Sequence, residues 1–193
     1  MKLVSISQMQ KADDYTIKSM GIPGRTLMYN AASSVAEEVL GISSGKSEFS
    51  AAVFCGPGNN GGDGWATALI LNEKGIDVAV FAGCTPSKLK GDAFYYASLA
   101  IEKEVRVIED LEMINPADYD VVIDALFGIG LGRKLDGVYK EAVLAINNKA
   151  RRVISVDVPS GLHSDEGIPF DYEMRAAMTF NLDRAKAMLL TQH

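Results

Sequence analysis

The run Ala51-Ala52-Val53-Phe54-Cys55-Gly56-Pro57-Gly58-Asn59-Asn60-Gly61-Gly62-Asp63-Gly64 sets a continuous apolar stretch directly against a glycine-rich one. A short apolar run without alternation reads as a strand buried on both faces. The glycines that follow allow a tight turn and a close backbone approach to an anion at the N-terminus of the next helix. The segment spells G-x-G-x-x-G, which alone is a weak signal; a dinucleotide fingerprint also needs an acid about 20 residues on, at the end of the second strand. Here that strand ends Phe81-Ala82-Gly83-Cys84, and Asp77 stands at its beginning. The lysine of a P-loop is missing as well. Asn59, Asn60 and Asp63 bring side-chain oxygens and amides beyond what a turn requires. The loop therefore reads as a cradle for a phosphate-bearing ligand other than an ordinary dehydrogenase cofactor.

Outward from this point the same alternation repeats. Strands are expected near Ala51–Cys55, Asp77–Ala82, Val105–Ile108, Asp120–Asp124 and Arg152–Val156, with crossover helices in Gly62–Gly75, Pro86–Lys103 and Asp136–Lys149. Strand and helix in alternation specify a parallel sheet, and right-handed crossovers put helices on both faces. Beyond Pro169, Ala176–Asn181 and Ala187–Leu190 read as two final strands. Upstream, Ser7-Gln8-Met9-Gln10 is a capping-box pattern opening a helical run that Gly21 and Pro23 end. Leu27, Met28, Ala31, Ala32, Val35, Ala36, Val39 and Leu40 form the apolar stripe of a second helix, which Gly41 is expected to stop.

In an open parallel sheet, ligands sit beyond the carboxyl ends of the strands, where the strand order reverses. Two more unusual loops follow strands. Val121-Val122-Ile123 delivers Asp124 to a strand end, followed by Ala125-Leu126-Phe127-Gly128-Ile129-Gly130-Leu131-Gly132-Arg133-Lys134. Its alternate glycines let the backbone wrap a ligand, and Arg133 with Lys134 adds local positive charge. Val153-Ile154-Ser155-Val156 delivers Asp157, followed by Val158-Pro159-Ser160-Gly161-Leu162. Two strand-end carboxylates in one crevice suggest acid–base work or cation binding. Ser160 lacks the G-x-S-x-G frame of a nucleophile elbow, and Pro159 precedes it. His163 and His193 read as a loop residue and a terminal residue, and Trp65 as core.

The chain has 193 residues, 48% hydrophobic and 23% charged, and a net charge of -6. Those values fit one domain, and the acidic balance argues against a broad nucleic-acid or anionic-membrane surface. No membrane span is expected. Cys55 and Cys84 lack metal-ligand spacing and read as free thiols of a reducing compartment, the cytoplasm, and the N-terminus does not read as a signal or transit peptide.

Taken together, the blocks at 56–64, 124–133 and 156–162, with Gly21-Ile22-Pro23-Gly24 and Leu27-Met28 before them, resemble the NAD(P)H-hydrate epimerase family, also called the YjeF N-terminal domain family. Thr179-Phe180 and Lys186 look like that family's threonine-phenylalanine strand and following lysine. The resemblance implies a three-layer α/β/α Rossmann-like sandwich with a mostly parallel sheet and N-terminal helices. It implies an isomerase that interconverts the R and S forms of hydrated NADH and NADPH (NADHX and NADPHX), whose hydroxyl sits at C6 of the nicotinamide ring. It assigns Asn59, Asn60, Gly61, Gly62, Asp63, Gly128, Ile129, Gly130, Leu131, Gly132, Arg133, Lys134 and Asp157 to the hydrated cofactor, and Asn60, Asp124 and Ser160 to a potassium ion. Asp124 and then Asp157 are the candidates for the catalytic carboxylate. One domain spanning 1–193 leaves no room for the kinase-like dehydratase fused to many relatives, so a separate dehydratase is expected to act downstream. The N-terminal helices are candidates for a homodimer interface. A noncatalytic nucleotide- or protein-binding domain using the same pocket, and an NAD-dependent dehydrogenase, are the rival readings.

Overall fold

Six strands form one sheet in the order β3-β2-β1-β4-β5-β6, and every neighbouring pair is parallel. The structure is a computed structural model describing residues 11, 15–162 and 171–180. Its elements in chain order are α1 (Gly24–Ser43), β1 (Ser50–Cys55), α2 (Asn59–Glu73), β2 (Asp77–Ala82), α3 (Gly91–Glu102), β3 (Arg106–Ile108), β4 (Val121–Ala125), α4 (Gly137–Lys149), β5 (Val153–Val156) and β6 (Met178–Phe180). The chain leaves β1 toward β2 and β3, then returns to β1's other side for β4, so the order reverses between β1 and β4. That is the doubly wound arrangement, in which ligands as a rule bind beyond the strand ends at the reversal, here between β1 and β4.

The strands are apolar throughout because both faces are covered, and their period of two divides the core. Ala51, Val53 and Cys55 of β1, with Val78 and Val80 of β2 and Val121 and Ile123 of β4, pack beneath α1, α2 and α3. Ala52, Phe54, Ala79, Phe81 and Val122 face the other way, against Ala142, Val143 and Ile146 of α4. Trp65 is 1% exposed in the first of these layers, as expected of a core residue.

Several boundaries differ from the sequence expectation. The helix after β1 begins at Asn59 rather than Gly62, so Asn59 to Asp63 are its first turns. Pro86–Lys103 divides into a single 3-10 turn at Pro86–Lys88 and α3, because Leu89 and Lys90 take extended backbone. Gly41 does not stop α1; the helix continues to Ser43, and the left-handed position falls at Gly45, with φ 80°. The capping box at 7–10, the strand at 187–190, His163, Lys186 and His193 lie outside the described residues.

Candidate functional site

The cradle is built by close packing. Gly56 donates its N–H to Ala125 O at 3.0 Å, and a side chain there would overlap Leu126 O, so the ends of β1 and β4 are in hard contact. Gly61 lies against Gly56 O, and a Cβ on Gly64 would come within 2.5 Å of the Ala125 methyl and 2.8 Å of Cys55 Sγ. Gly62 lies under Met28 of α1 and Ala93 of α3. These glycines thus let α2 sink onto the sheet and its neighbouring helices. Gly62 N–H donates to Gly58 O at 3.0 Å and no side chain caps the helix, which leaves the leading amides and the positive end of the dipole directed at the crevice.

Asp124 is completely buried. The strand period turns it to the same side as Val122, toward α4. Its carboxylate accepts four hydrogen bonds: Leu126 N–H (3.2 Å) and Ser160 Oγ–H (2.6 Å) at Oδ1, and Ser155 Oγ–H (2.8 Å) and Ser160 N–H (2.9 Å) at Oδ2. Four donors match the roughly four lone-pair positions of an ionised carboxylate. Burial pushes the Asp124 carboxyl above the usual range, and the donors from Ser160, Ser155 and Leu126 oppose that shift. Ser160 Oγ in turn accepts Phe127 N–H at 3.0 Å, with Phe127 O at 3.1 Å as a second acceptor for its proton. Asp124 therefore joins the turn at Ser160 to the loop after β4.

Asp157 is half-buried, one residue past β5, with φ 70°. A non-glycine residue in the left-handed region is uncommon, and such positions concentrate at functional sites. Asp157 Oδ2 accepts Ile129 N–H at 2.8 Å and also lies against the Cα of Gly128, where any side chain would strike it. A Cβ on Gly128 would also come within 3.1 Å of Asn60 Oδ1. Asn60, Gly128 and Asp157 consequently meet at one point above the β1–β4 junction. Both polar atoms of the Asn60 side chain are buried and without a hydrogen-bond partner.

The remaining candidates spread outward. Gly130 and Gly132 have open space where a Cβ would stand, so packing does not demand glycine at either. Arg133 and Lys134 are exposed and paired, with Asp136 at 3.8 Å and Asp171 at 2.7 Å. Sequence reasoning brought the three loops together and missed Ser155, which is fully buried on β5 opposite Asp124. The signal was present: Ser155 is the one polar residue in the apolar run 153–156. Ser160 is 1% exposed and engaged with Asp124, which suits an anchor and not a nucleophile.

An open helix end, two carboxylates and an orphaned amide meet at the switch point of an α/β protein with a doubly wound parallel sheet. Comparison with known proteins narrows this class. Residues 24–188 match the family described as YjeF-related protein N-terminus, and the chain belongs to that family. The bifunctional NAD(P)H-hydrate repair enzyme Nnr of Thermofilum pendens is 40% identical over 95% of this chain, which spans 36% of that protein. The NAD(P)H-hydrate epimerase of Limosilactobacillus reuteri is 35% identical over 92% of this chain and 82% of its own length. Among solved structures, yeast ynu0, YNL200c, superposes with a TM-score of 0.79 at 24% identity, covering 93% of this chain and 79% of that one, and shares the fold.

Proposed function

We propose that the protein is an NAD(P)H-hydrate epimerase, an isomerase that interconverts the R and S forms of hydrated NADH and NADPH. The observation that carries this reading is the convergence of Asn60, Gly128 and Asp157 beside the open end of α2, in a chain 35% identical to a relative named for that activity. The dinucleotide's phosphates would lie at the amides of Asn59 to Gly61 and along Gly128 to Gly132, with Arg133 and Lys134 at the rim.

The chemistry needs little apparatus. The hydroxyl-bearing carbon is bonded to the ring nitrogen, so a proton delivered to the hydroxyl lets it leave as water, and the nitrogen lone pair stabilises the resulting ring cation. Water then adds to the opposite face and returns the proton. The half-exposure of Asp157 supports giving it that proton exchange, within general acid–base catalysis worth roughly 10²–10⁴ in rate. The four donors on buried Asp124 support reading it as an anchor that adds negative potential beneath the cation.

A potassium ion fits these residues. The buried oxygen of Asn60 has no other partner, and amide, carboxylate and hydroxyl oxygens suit a hard cation. Asn60 Oδ1 would hold it directly, with Asp124 and Ser160 joining once one of the four donors on Asp124 gives way, and its charge would offset that of the buried carboxylate. Among the described residues there is no cluster of His, Cys, Asp or Glu that competes as a metal site.

Bifunctional relatives such as Nnr join two repair activities in one name, and a dehydratase consuming the S form is the reaction this one would feed. Exposed Tyr29, Phe94 and Tyr95 near the N-terminal helix support a homodimer, to be read by light scattering. No helix of the described residues is long and apolar enough to cross a membrane, and the free cysteines favour a cytoplasmic setting. The deciding experiment is chiral chromatography of R-enriched NADHX mixed with the protein and no dehydratase. Racemisation faster than the buffer control is expected; equality with the control overturns the reading.

A further inference from the structure

Among the described residues, Ser155 ties the hydrogen-bond network of Asp124 on β4 to the neighbouring strand β5. The parallel register of β4 and β5 sets Asp124 opposite Ser155, and the strand period turns both toward the α4 face. The other three donors to Asp124 belong to the loops that follow these strands: Leu126 N–H, Ser160 N–H and Ser160 Oγ–H. The loop donors lie outside the sheet's backbone ladder, where Met174 N–H also holds Ser160 O at 2.8 Å, whereas the position of Ser155 is set by backbone hydrogen bonds on both sides of β5. Ser155 Oγ–H is therefore the register-fixed donor that sets the orientation of Asp124, and through it helps to hold Ser160.

The consequence reaches the reacting centre through the turn. Ser160 is three residues past Asp157, and Asp157 carries the left-handed backbone that aims its carboxylate at Ile129 N–H and Gly128. Ser160 Oγ also receives Phe127 N–H, so one hydroxyl sets the turn after β5 and the loop after β4 against each other.

We propose that Ser155 is a positioning residue for the epimerisation, acting through Asp124 and Ser160 to hold Asp157 against the Gly128–Ile129 backbone. The inference rests on the epimerase reading, and the experiment separates the two. Ser155→Ala and Ser155→Cys both remove the strong hydroxyl donor, and cysteine nearly keeps the volume. Each variant is compared with the unaltered protein in three measurements: kcat and KM for NADHX, the melting temperature, and the amide resonances of Leu126, Ile129 and Ser160 in 15N spectra. Both variants are expected to fold, to lose about 10- to 100-fold in kcat with KM changed less than about three-fold, and to shift the Ser160 and Ile129 resonances together. A role confined to stability would lower the melting temperature and leave kcat and Ile129 unchanged, which overturns the proposal. Loss of fold in both variants also overturns it, since Ser155 would then serve the fold itself. If the unaltered protein fails to epimerise, the functional reading falls instead, and the coupled resonance shift still decides whether Ser155 positions Asp157.

Discussion

Asp124 and Ser160 meet twice, once through the serine hydroxyl at 2.6 Å and once through its backbone N–H at 2.9 Å, on the two oxygens of one carboxylate. A side chain from the middle sheet thereby determines the path of a turn 36 residues later in the chain. Both partners are out of water, so neither bond competes with solvent.

Asparagine at position 124 keeps the shape and reverses half of the hydrogen bonding. Its amide hydrogens would face N–H and O–H donors, so Asp124→Asn is expected to cost about 1–3 kcal/mol in a denaturant titration. Epimerisation is expected to fall at least about 100-fold. An undiminished rate would remove Asp124 from the site.

The glycines of the loop after β4 separate into two kinds. Gly128→Ala pushes a methyl into Asp157 and toward Asn60, and should lower kcat by about 10- to 100-fold. Gly130→Ala meets nothing in the protein, so its melting temperature should stay within about 1 °C, corresponding to a surface change below about 0.5 kcal/mol. If the backbone at Gly130 closes on substrate, that same variant raises KM in steady-state assays. Unaltered kinetics would place the substrate away from this residue.

The unpartnered Asn60 amide makes an ion prediction that needs no turnover. At equal ionic strength, potassium should raise the melting temperature by a few degrees relative to tetramethylammonium, on the order of 1–3 kcal/mol of binding linkage. Asn60→Ala should abolish that difference. In tetramethylammonium the variant should melt above the unaltered protein, because two buried polar atoms without partners are gone. Calorimetry reads both effects.

Cys55 supplies a pH-dependent check on the core. Burial holds its thiol well above the ordinary thiol range, so at alkaline pH the folded protein retains a proton that the unfolded chain releases. Its contribution is present in full below about pH 9 and is lost as pH rises from there toward the folded-state value. Cys55→Ala should flatten that alkaline decline in chemical unfolding curves. In native buffer a thiol reagent should modify half-buried Cys84 alone, and reach Cys55 only on unfolding.

Strands β1, β2, β4 and β5 were legible to within a residue at each end because burial on both faces writes itself as unbroken apolar sequence. The start of α2 was not. Asn59-Asn60-Gly61-Gly62 has poor helix propensity, and tertiary contact overrides it: glycine is what permits the helix to touch Gly56, Met28 and Ala93. The site followed the same division. Asp124, Asp157 and the cradle could be placed at strand ends from pattern alone, whereas the pairing of Asp124 with Ser155 depends on the β4–β5 register, which local sequence does not encode. Gly41 misled for a related reason, since a glycine within a helix costs only about 1 kcal/mol and the packed stripe of α1 carries the helix past it.

The reversal of strand order also sets a timetable. A ribosome delivers α2 and its open N-terminus well before β4, yet β1 is a central strand and lacks one neighbour until residues 121–125 emerge. Gly56 and Gly61 then have their backbone partners, but Asp124 still awaits Ser155 and Ser160. Domains with such non-local pairing assemble late and expose their unfinished edges meanwhile. The strand-end loops are thus among the last parts of the described fold to be completed, and a nascent chain cut short before residue 160 carries the open end of α2 without the carboxylate network that Asp124, Ser155 and Ser160 form.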